Sequence, residues 1–205
     1  MGKNRLKIGI CGGTFDPIHI GHLAVAELIR SEYRLDRVLF IPSGKPPHKD
    51  LKNVTDPIHR FNMVKCAVSS NPAFEALPME VDREGYTFTV DTLAQLQALY
   101  PENTDFYYII GADVVMDLLT WRNAPEVFKL TKFIAVMRPG FINEAFNEKI
   151  EYLKSNYDIE ISSMEIPLIE ISSTFIRDRL KDKKSIKYLV EPSVEEYILN
   201  NNLYL

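Results

Sequence analysis

Short apolar runs alternate with helical stretches along most of this chain, and that order restricts the fold more than any other feature of the sequence. Leu6–Cys11, Arg37–Ile41, Phe74–Val81, Phe106–Ile110, Phe133–Val136 and Ile159–Met164 read as strands, several without the polar alternation of a half-exposed sheet. Strands of that kind are buried on both faces. Between them His22–Tyr33, His59–Ser69, Asp91–Leu99, Asp113–Leu119, Pro125–Leu130 and Glu144–Ser155 read as helices, and Ser173–Lys181 and Ser193–Asn200 follow. The clearest helix sets Val90, Leu93, Leu96 and Leu99 on one stripe, with Asp91 at its start and Pro101 beyond its end. Repeated strand-then-helix order requires right-handed crossovers and a sheet covered by helices. The expected fold class is therefore α/β: a Rossmann-like three-layer α/β/α domain with a mostly parallel sheet and C-terminal helices.

Composition enters as a set of exclusions. At 205 residues and 46% apolar side chains the chain can bury a substantial core. It shows no repeat, low-complexity tract or linker, so a single domain spanning 1–205 is expected. A net charge of −4 argues against a broad electrostatic footprint on nucleic acid or an anionic membrane. Cys11 and Cys66 stand far apart with no C-x-x-C spacing, which suits reduced thiols in the cytoplasm better than a disulfide framework or a structural zinc. No apolar run approaches the ~18 residues of a membrane span. Homo-oligomerisation is left open by the sequence.

The stretch CGGTFDPIHIGHLAVAEL, from Cys11 to Leu28, stands where the first strand meets the first helix. Ligands of open α/β sheets bind outside the carboxyl ends of the strands. Gly12 and Gly13 allow close approach of backbone to a ligand, and the helix beginning near His22 aims its N–H groups and positive dipole end the same way. His19 and His22, two of four histidines, can place both imidazoles on one side of the turn. A phosphate suits such donors. The spacing of Gly9, Gly12 and Gly13 is not G-x-G-x-x-G, and no G-x-x-x-x-G-K-[ST] loop occurs, so neither a bound dinucleotide cofactor nor a P-loop ATPase is indicated. A zinc site would need His48 or His59 to join the pair. The longest aperiodic segment, Pro42 to Pro57, has the character of a functional loop.

Gly12-Gly13-Thr14-Phe15-Asp16-Pro17-Ile18-His19-Ile20-Gly21-His22 resembles the GGTFDPxHxGH signature of bacterial nicotinate-mononucleotide adenylyltransferases, within the nucleotidyltransferase superfamily. The H-x-G-H core is shared with class I aminoacyl-tRNA synthetases and other transferases, but further motifs stand in the family's order. Pro46-Pro47-His48-Lys49 is similar to its PPHK loop, and Gly111-Ala112-Asp113 with Leu118 and Trp121 is similar to its GADxxxxLxxW segment. Arg138-Pro139-Gly140 and Ile171-Ser172-Ser173-Thr174-Phe175-Ile176-Arg177 resemble its RPG and ISSTxIR elements.

The resemblance implies adenylyl transfer from ATP to nicotinate mononucleotide, with Mg2+ accompanying ATP. It implies that Gly12, Gly13, the Thr14 and Phe15 backbone, His19, His22, Ser173 and Arg177 hold the ATP phosphates, with His19, His22 and Arg177 catalytic. Gly111 and Asp113 would meet the ATP sugar, and a helix N-cap is the competing role of Asp113. Trp121, the single tryptophan, would stack on the pyridine ring. Aligning Phe88-Thr89-Val90-Asp91-Thr92 on the family's YTxDT makes Thr89 the nicotinate contact and puts Phe88 where the family has tyrosine. Ser43 departs from the family's asparagine at a mononucleotide contact, and His48 and Lys49 would reach phosphate from their loop. The competing activities are transfer to nicotinamide mononucleotide or phosphopantetheine, a synthetase-like domain, and a non-catalytic nucleotide sensor.

Overall fold

The apolar runs form strands, and burial accounts for their missing polar alternation: Ile8, Ile10, Val38, Leu39, Phe40, Ile134 and Ala135 are wholly withdrawn from solvent. The computed structural model describes residues 5–45, 54–138, 144–167 and 169–205. Six strands, β1 (Leu6–Gly13), β2 (Arg37–Pro42), β3 (Phe74–Ala76), β4 (Thr104–Gly111), β5 (Lys132–Met137) and β6 (Ile161–Glu165), make one all-parallel sheet in the order β3-β2-β1-β4-β5-β6. The sheet is the middle of three layers. The eight helices among the described residues are α1 (Ile20–Tyr33), α2 (Pro57–Val68), α3 (Thr89–Leu99), α4 (Ala112–Asp117), α5 (Ala124–Leu130), α6 (Glu144–Tyr157), α7 (Ser173–Lys181) and α8 (Pro192–Asn200). A 3-10 turn, Leu118–Thr120, continues α4. Strand order reverses direction at β1, which makes the carboxyl edge beside it the topological switch point of a doubly wound sheet.

Most element boundaries differ from the sequence reading by a residue or two, and four of the differences bear on the site or the core. β3 stops at Ala76 instead of Val81: the Leu77 N–H still donates to the Phe40 carbonyl at 2.9 Å, and Pro78 then has no N–H to extend the ladder. β1 runs on through both glycines. α1 starts two residues before His22, because the His22 and Leu23 N–H groups already donate to the His19 carbonyl. α3 starts at Thr89, and its buried face is Thr92, Leu93 and Leu96, while Leu99 is 66% exposed. The stripe expected through Leu99 therefore ends one turn earlier.

The chain divides into two compact units, one of Met1–Cys11, Leu28–Val38 and Phe88–Leu168, the other of Gly12–Glu27, Leu39–Thr87 and Ile169–Leu205. In the first, β4 pairs with β1 from Leu6↔Thr104 to Ile10↔Tyr108 and with β5 from Tyr107↔Lys132 to Gly111↔Val136. Its aromatic cluster joins Tyr108, Phe128, Phe133, Tyr157 and Trp121 through ring contacts of 5.7–6.4 Å. In the second, α2 packs on α8, with the Tyr197 hydroxyl against His59 Nδ1 at 2.9 Å and accepting from Asn62 Nδ2 at 3.0 Å. Among the described residues no helix is long and apolar enough to cross a membrane. His48 and Lys49 lie outside the described residues, as do Pro46, Pro47, Pro139 and Gly140.

Candidate functional site

The second unit holds the signature turn, and its backbone geometry differs from what two adjacent glycines suggest. Gly12 and Gly13 end β1 in ordinary extended backbone, and the left-handed conformation falls on Phe15, with φ of +50°. That conformation costs an L residue roughly 1–2 kcal/mol. The Phe15 ring is held by packing, 4% exposed, edge-on to His22 at 5.1 Å and tilted against Phe40 at 6.0 Å. Gly13 packs closely under this ring: a Cβ there would stand 3.1 Å from the Phe15 ring, which would have to give by a few tenths of an ångström. The Asp16-Pro17 peptide is cis.

His19 and His22 stack with ring centroids 3.7 Å apart and planes 28° from parallel. The His19 backbone N–H donates to His22 Nδ1 at 3.2 Å, which fixes the His22 proton on Nε2 in the neutral ring. His19 Nδ1 is buried and has no hydrogen-bond partner. Gly21 makes that placement feasible, since a Cβ on residue 21 would stand 3.0 Å from His19 Nδ1. Burial pushes His19 down to about 4, and burial together with the neighbouring His19 pushes His22 down to about 3. Both rings are thus neutral near pH 7. An arriving anion would supply what desolvation took away, favouring N–H donation and partial imidazolium character.

Helix α7 is latched to the same turn. Ser172, not Ser173, is its N-cap, the side chain accepting from the Phe175 N–H at 3.1 Å. The Ser173 hydroxyl donates instead to the Pro17 carbonyl at 2.8 Å. Arg177 donates from Nη1 to the Asp16 carbonyl at 2.7 Å and from Nη2 to Thr174 Oγ1 at 3.2 Å. The two imidazoles, Ser173 and Arg177 therefore share one turn as their reference point.

Ser43 belongs to this unit too, its N–H donating to the Gly13 carbonyl at 2.8 Å. Its hydroxyl is buried without a partner, as is that of Thr87, whose N–H donates to the Lys45 carbonyl at 3.3 Å. A buried hydroxyl left unpaired costs about 1–3 kcal/mol, so these two are candidates for a ligand's polar groups. Thr87 was not among the predicted contacts.

Sequence reasoning also missed the underside of the turn. Arg60 is fully buried and donates to three backbone carbonyls, Thr14 at 2.6 Å, Thr55 at 2.8 Å and Gly44 at 3.0 Å. Desolvation lowers its pKa, opposed by the nearby Asp16 carboxylate. A signal did exist in the sequence, because Arg60 shares the buried face of α2 with Met63, Val64 and Ala67, where a cation is out of place unless it is fully paired.

In the first unit Trp121 caps the 3-10 turn, its N–H donating to the Leu118 carbonyl at 3.2 Å. The indole is half-buried, edge-on to Tyr108 at 5.7 Å and to Phe133 at 6.4 Å. Arg122, the next residue, stacks its guanidinium 4.4 Å over the Phe88 ring. That contact draws the start of α3, with Thr89 its first residue, to the turn that carries Trp121. Gly111 is the N-cap residue of α4, so Asp113 is exposed in the first turn and does not serve as the cap. Among the described residues no three His, Cys, Asp or Glu side chains converge as a metal site, and burial pushes the Cys11 thiol up to about 12.

A doubly wound parallel sheet, with a Gly-Gly turn, paired imidazoles and a helix-borne arginine gathered on one loop, is the arrangement of a nucleotidyltransferase of the H-x-G-H class. Known proteins agree. The model of the family described as cytidylyltransferase-like matches residues 10–179. The chain is 46% identical over 202 residues to the "Probable nicotinate-nucleotide adenylyltransferase" of Thermoanaerobacter sp. (strain X514), covering 98% of this chain and 96% of that protein. It is 40% identical over 198 residues to the nicotinate-nucleotide adenylyltransferase of Bacillus subtilis (strain 168), covering 97% and 98%. This chain belongs to the nicotinate-nucleotide adenylyltransferase family within the cytidylyltransferase-like proteins. Its fold is also that of the Plasmodium falciparum nicotinic acid mononucleotide adenylyltransferase complexed with NaAD, with a TM-score of 0.77, 24% identity and 97% of each chain covered.

Proposed function

We propose that this chain, acting as one nucleotidyltransferase domain, transfers the adenylyl group of ATP to nicotinate mononucleotide, giving nicotinate adenine dinucleotide and pyrophosphate, a step of NAD biosynthesis. The observation that carries the reading is the latch: Arg177 and Ser173 of α7 bonded to the carbonyls of Asp16 and Pro17, on the turn that bears the stacked imidazoles. Family membership supports the substrate pair.

The chemistry suits the groups present. An oxygen of the mononucleotide phosphate, anionic near pH 7, attacks the α-phosphorus of ATP in line. A P–O bond forms there as the bond from the α-phosphorus to the bridging oxygen breaks, and pyrophosphate carries away the electron pair. No general base is needed, which agrees with a Cys11 thiol held protonated by burial and with imidazoles that burial makes weak bases. Catalysis is positioning plus stabilisation of charge spreading over the phosphoryl oxygens. His19 and His22 are assigned to the α- and β-phosphates as N–H donors. Arg177 and the first turn of α7 are assigned to the β- and γ-phosphates, and the backbone of Gly12 to Phe15 to the same chain of phosphates. Gly111 and Asp113 are assigned to the ATP sugar. Trp121 and Thr89 take the pyridine ring, Ser43 the mononucleotide, and His48 and Lys49 its phosphate. A divalent cation, Mg2+ in this reading, enters as part of the ATP substrate on phosphate oxygens, because the turn offers imidazoles, a guanidinium and an already engaged Asp16 carboxylate rather than a carboxylate cage.

Pyrophosphate release by the purified protein tests the reading. ATP with nicotinate mononucleotide is expected to release it and ATP with phosphopantetheine is not. Release favoured by phosphopantetheine would overturn the acceptor, and ATP binding without release would leave a sensor.

A further inference from the structure

Asp16 is the point at which three separate parts of the second unit meet the signature turn. The residue is 5% exposed. Oδ1 accepts from the Tyr204 hydroxyl at 2.7 Å, Oδ2 accepts from the Thr55 N–H at 3.3 Å, and its backbone carbonyl accepts from Arg177 Nη1 at 2.7 Å. Tyr204 and Asp16 are 188 positions apart in sequence. The hydroxyl is well withdrawn from water, touching Met63 Sδ at 3.9 Å, and burial together with the Asp16 carboxylate raises it above the ordinary tyrosine range. Arg60 donates to the carbonyls of Thr14 and of Thr55, the residue whose N–H meets this carboxylate.

A buried carboxylate is sensitive to losing a donor, and here the consequence reaches the site. The carboxylate and the carbonyl of Asp16 are carried on one residue in a turn already constrained by Phe15 and by Arg60. Fixing the first fixes the second, and the second orients the guanidinium of Arg177. Two of the five N–H donors of Arg177 are committed to Asp16 and Thr174, which sets the direction of the remainder.

We propose that Tyr204 is a positioning residue for the triphosphate site: its hydroxyl holds the Asp16 carboxylate, and through the Asp16 carbonyl it sets the aim of Arg177. This deepens the adenylyl-transfer reading, on which it rests for the assignment of Arg177 to phosphate. The consequence is specific. Loss of the hydroxyl should weaken contacts with the ATP phosphates and leave the acceptor end unaffected.

Tyr204→Phe removes the hydroxyl and keeps the ring. The test compares wild type, Tyr204→Phe, Arg177→Ala and the double variant by equilibrium binding of α,β-methylene ATP, followed by steady-state kinetics. Expected in Tyr204→Phe are an about 10-fold weaker analogue affinity, a matching loss in kcat/KM for ATP and a KM for nicotinate mononucleotide within twofold of wild type. In the Arg177→Ala background the same substitution is expected to cost less than twofold. Equal losses in both backgrounds, unchanged affinity in Tyr204→Phe, a loss confined to the mononucleotide KM, or a Tyr204→Phe protein without a folded circular-dichroism signal would each overturn the proposal. The binding cycle needs no acceptor. A protein that shows the coupled affinity loss but transfers nothing to nicotinate mononucleotide would refute the proposed reaction and leave the positioning role standing.

Discussion

The stacked histidines give this protein an acid-labile element whose size follows from the structure. His19 stays neutral down to about 4 and His22 to about 3, against an ordinary 6.5. In the unfolded chain both imidazoles take up protons below about pH 6.5, while the folded pair resists, so each proton bound favours unfolding. The stability they contribute is complete above about pH 6.5 and is lost as pH falls towards their folded values. At pH 4.5 the buried His19 accounts for a loss of roughly 2–3 kcal/mol relative to pH 7, and counting the half-buried His22 at half weight brings the pair to about 4 kcal/mol. That is a large fraction of a typical domain's 5–15 kcal/mol. Urea denaturation at pH 7 and pH 4.5, on wild type and on the His19→Gln/His22→Gln double variant, isolates the pair from the carboxylates that titrate in the same range. The wild type is expected to lose about 4 kcal/mol more than the variant across that interval. Equal losses in the two proteins would refute the argument, since the imidazoles would then be protonating alike in both states.

Three substitutions separate the roles of neighbouring residues. His22→Ala is expected to lower kcat by a factor corresponding to about 3–4 kcal/mol with little change in melting temperature; unchanged turnover with a lowered melting temperature would make the ring a packing residue. Trp121→Ala should raise the KM for the mononucleotide about 10-fold, as loss of one stacked ring does, and leave the KM for ATP unaltered; an equal rise in both would contradict the stacking role. Gly44→Ala puts a Cβ into the Glu80 carbonyl and should destabilise the protein by about 1–3 kcal/mol, read as a shift in the urea midpoint; a neutral result would mean that the Glu80 backbone yields without cost.

The layered parallel sheet was legible because both-face burial removes polar alternation from β2 and β5, and because the order of strand and helix leaves few topologies. Boundaries were missed where a single residue decided them, as at Pro78, which ended β3, and at the His19 carbonyl, which started α1. In the candidate site, the Gly12-to-His22 turn could be named from residue types and spacing, and the Ser173–Arg177 helix from its resemblance to the family's ISSTxIR element. What could not be read was the scaffolding beneath them. Arg60 and Tyr204 act on Thr14 and Asp16 through contacts spanning 46 and 188 positions, and no local pattern announces such partners. The left-handed residue of the turn was hidden for a related reason: it is Phe15, where packing of the ring, visible only in three dimensions, sustains the conformation.

The choice of acceptor is the centre of the account, and a ratio measures it. With ATP saturating, kcat/KM for nicotinate mononucleotide and for nicotinamide mononucleotide are determined side by side on the same preparation of protein. The account predicts a clear preference for the nicotinate form; a ratio at or below one would contradict it.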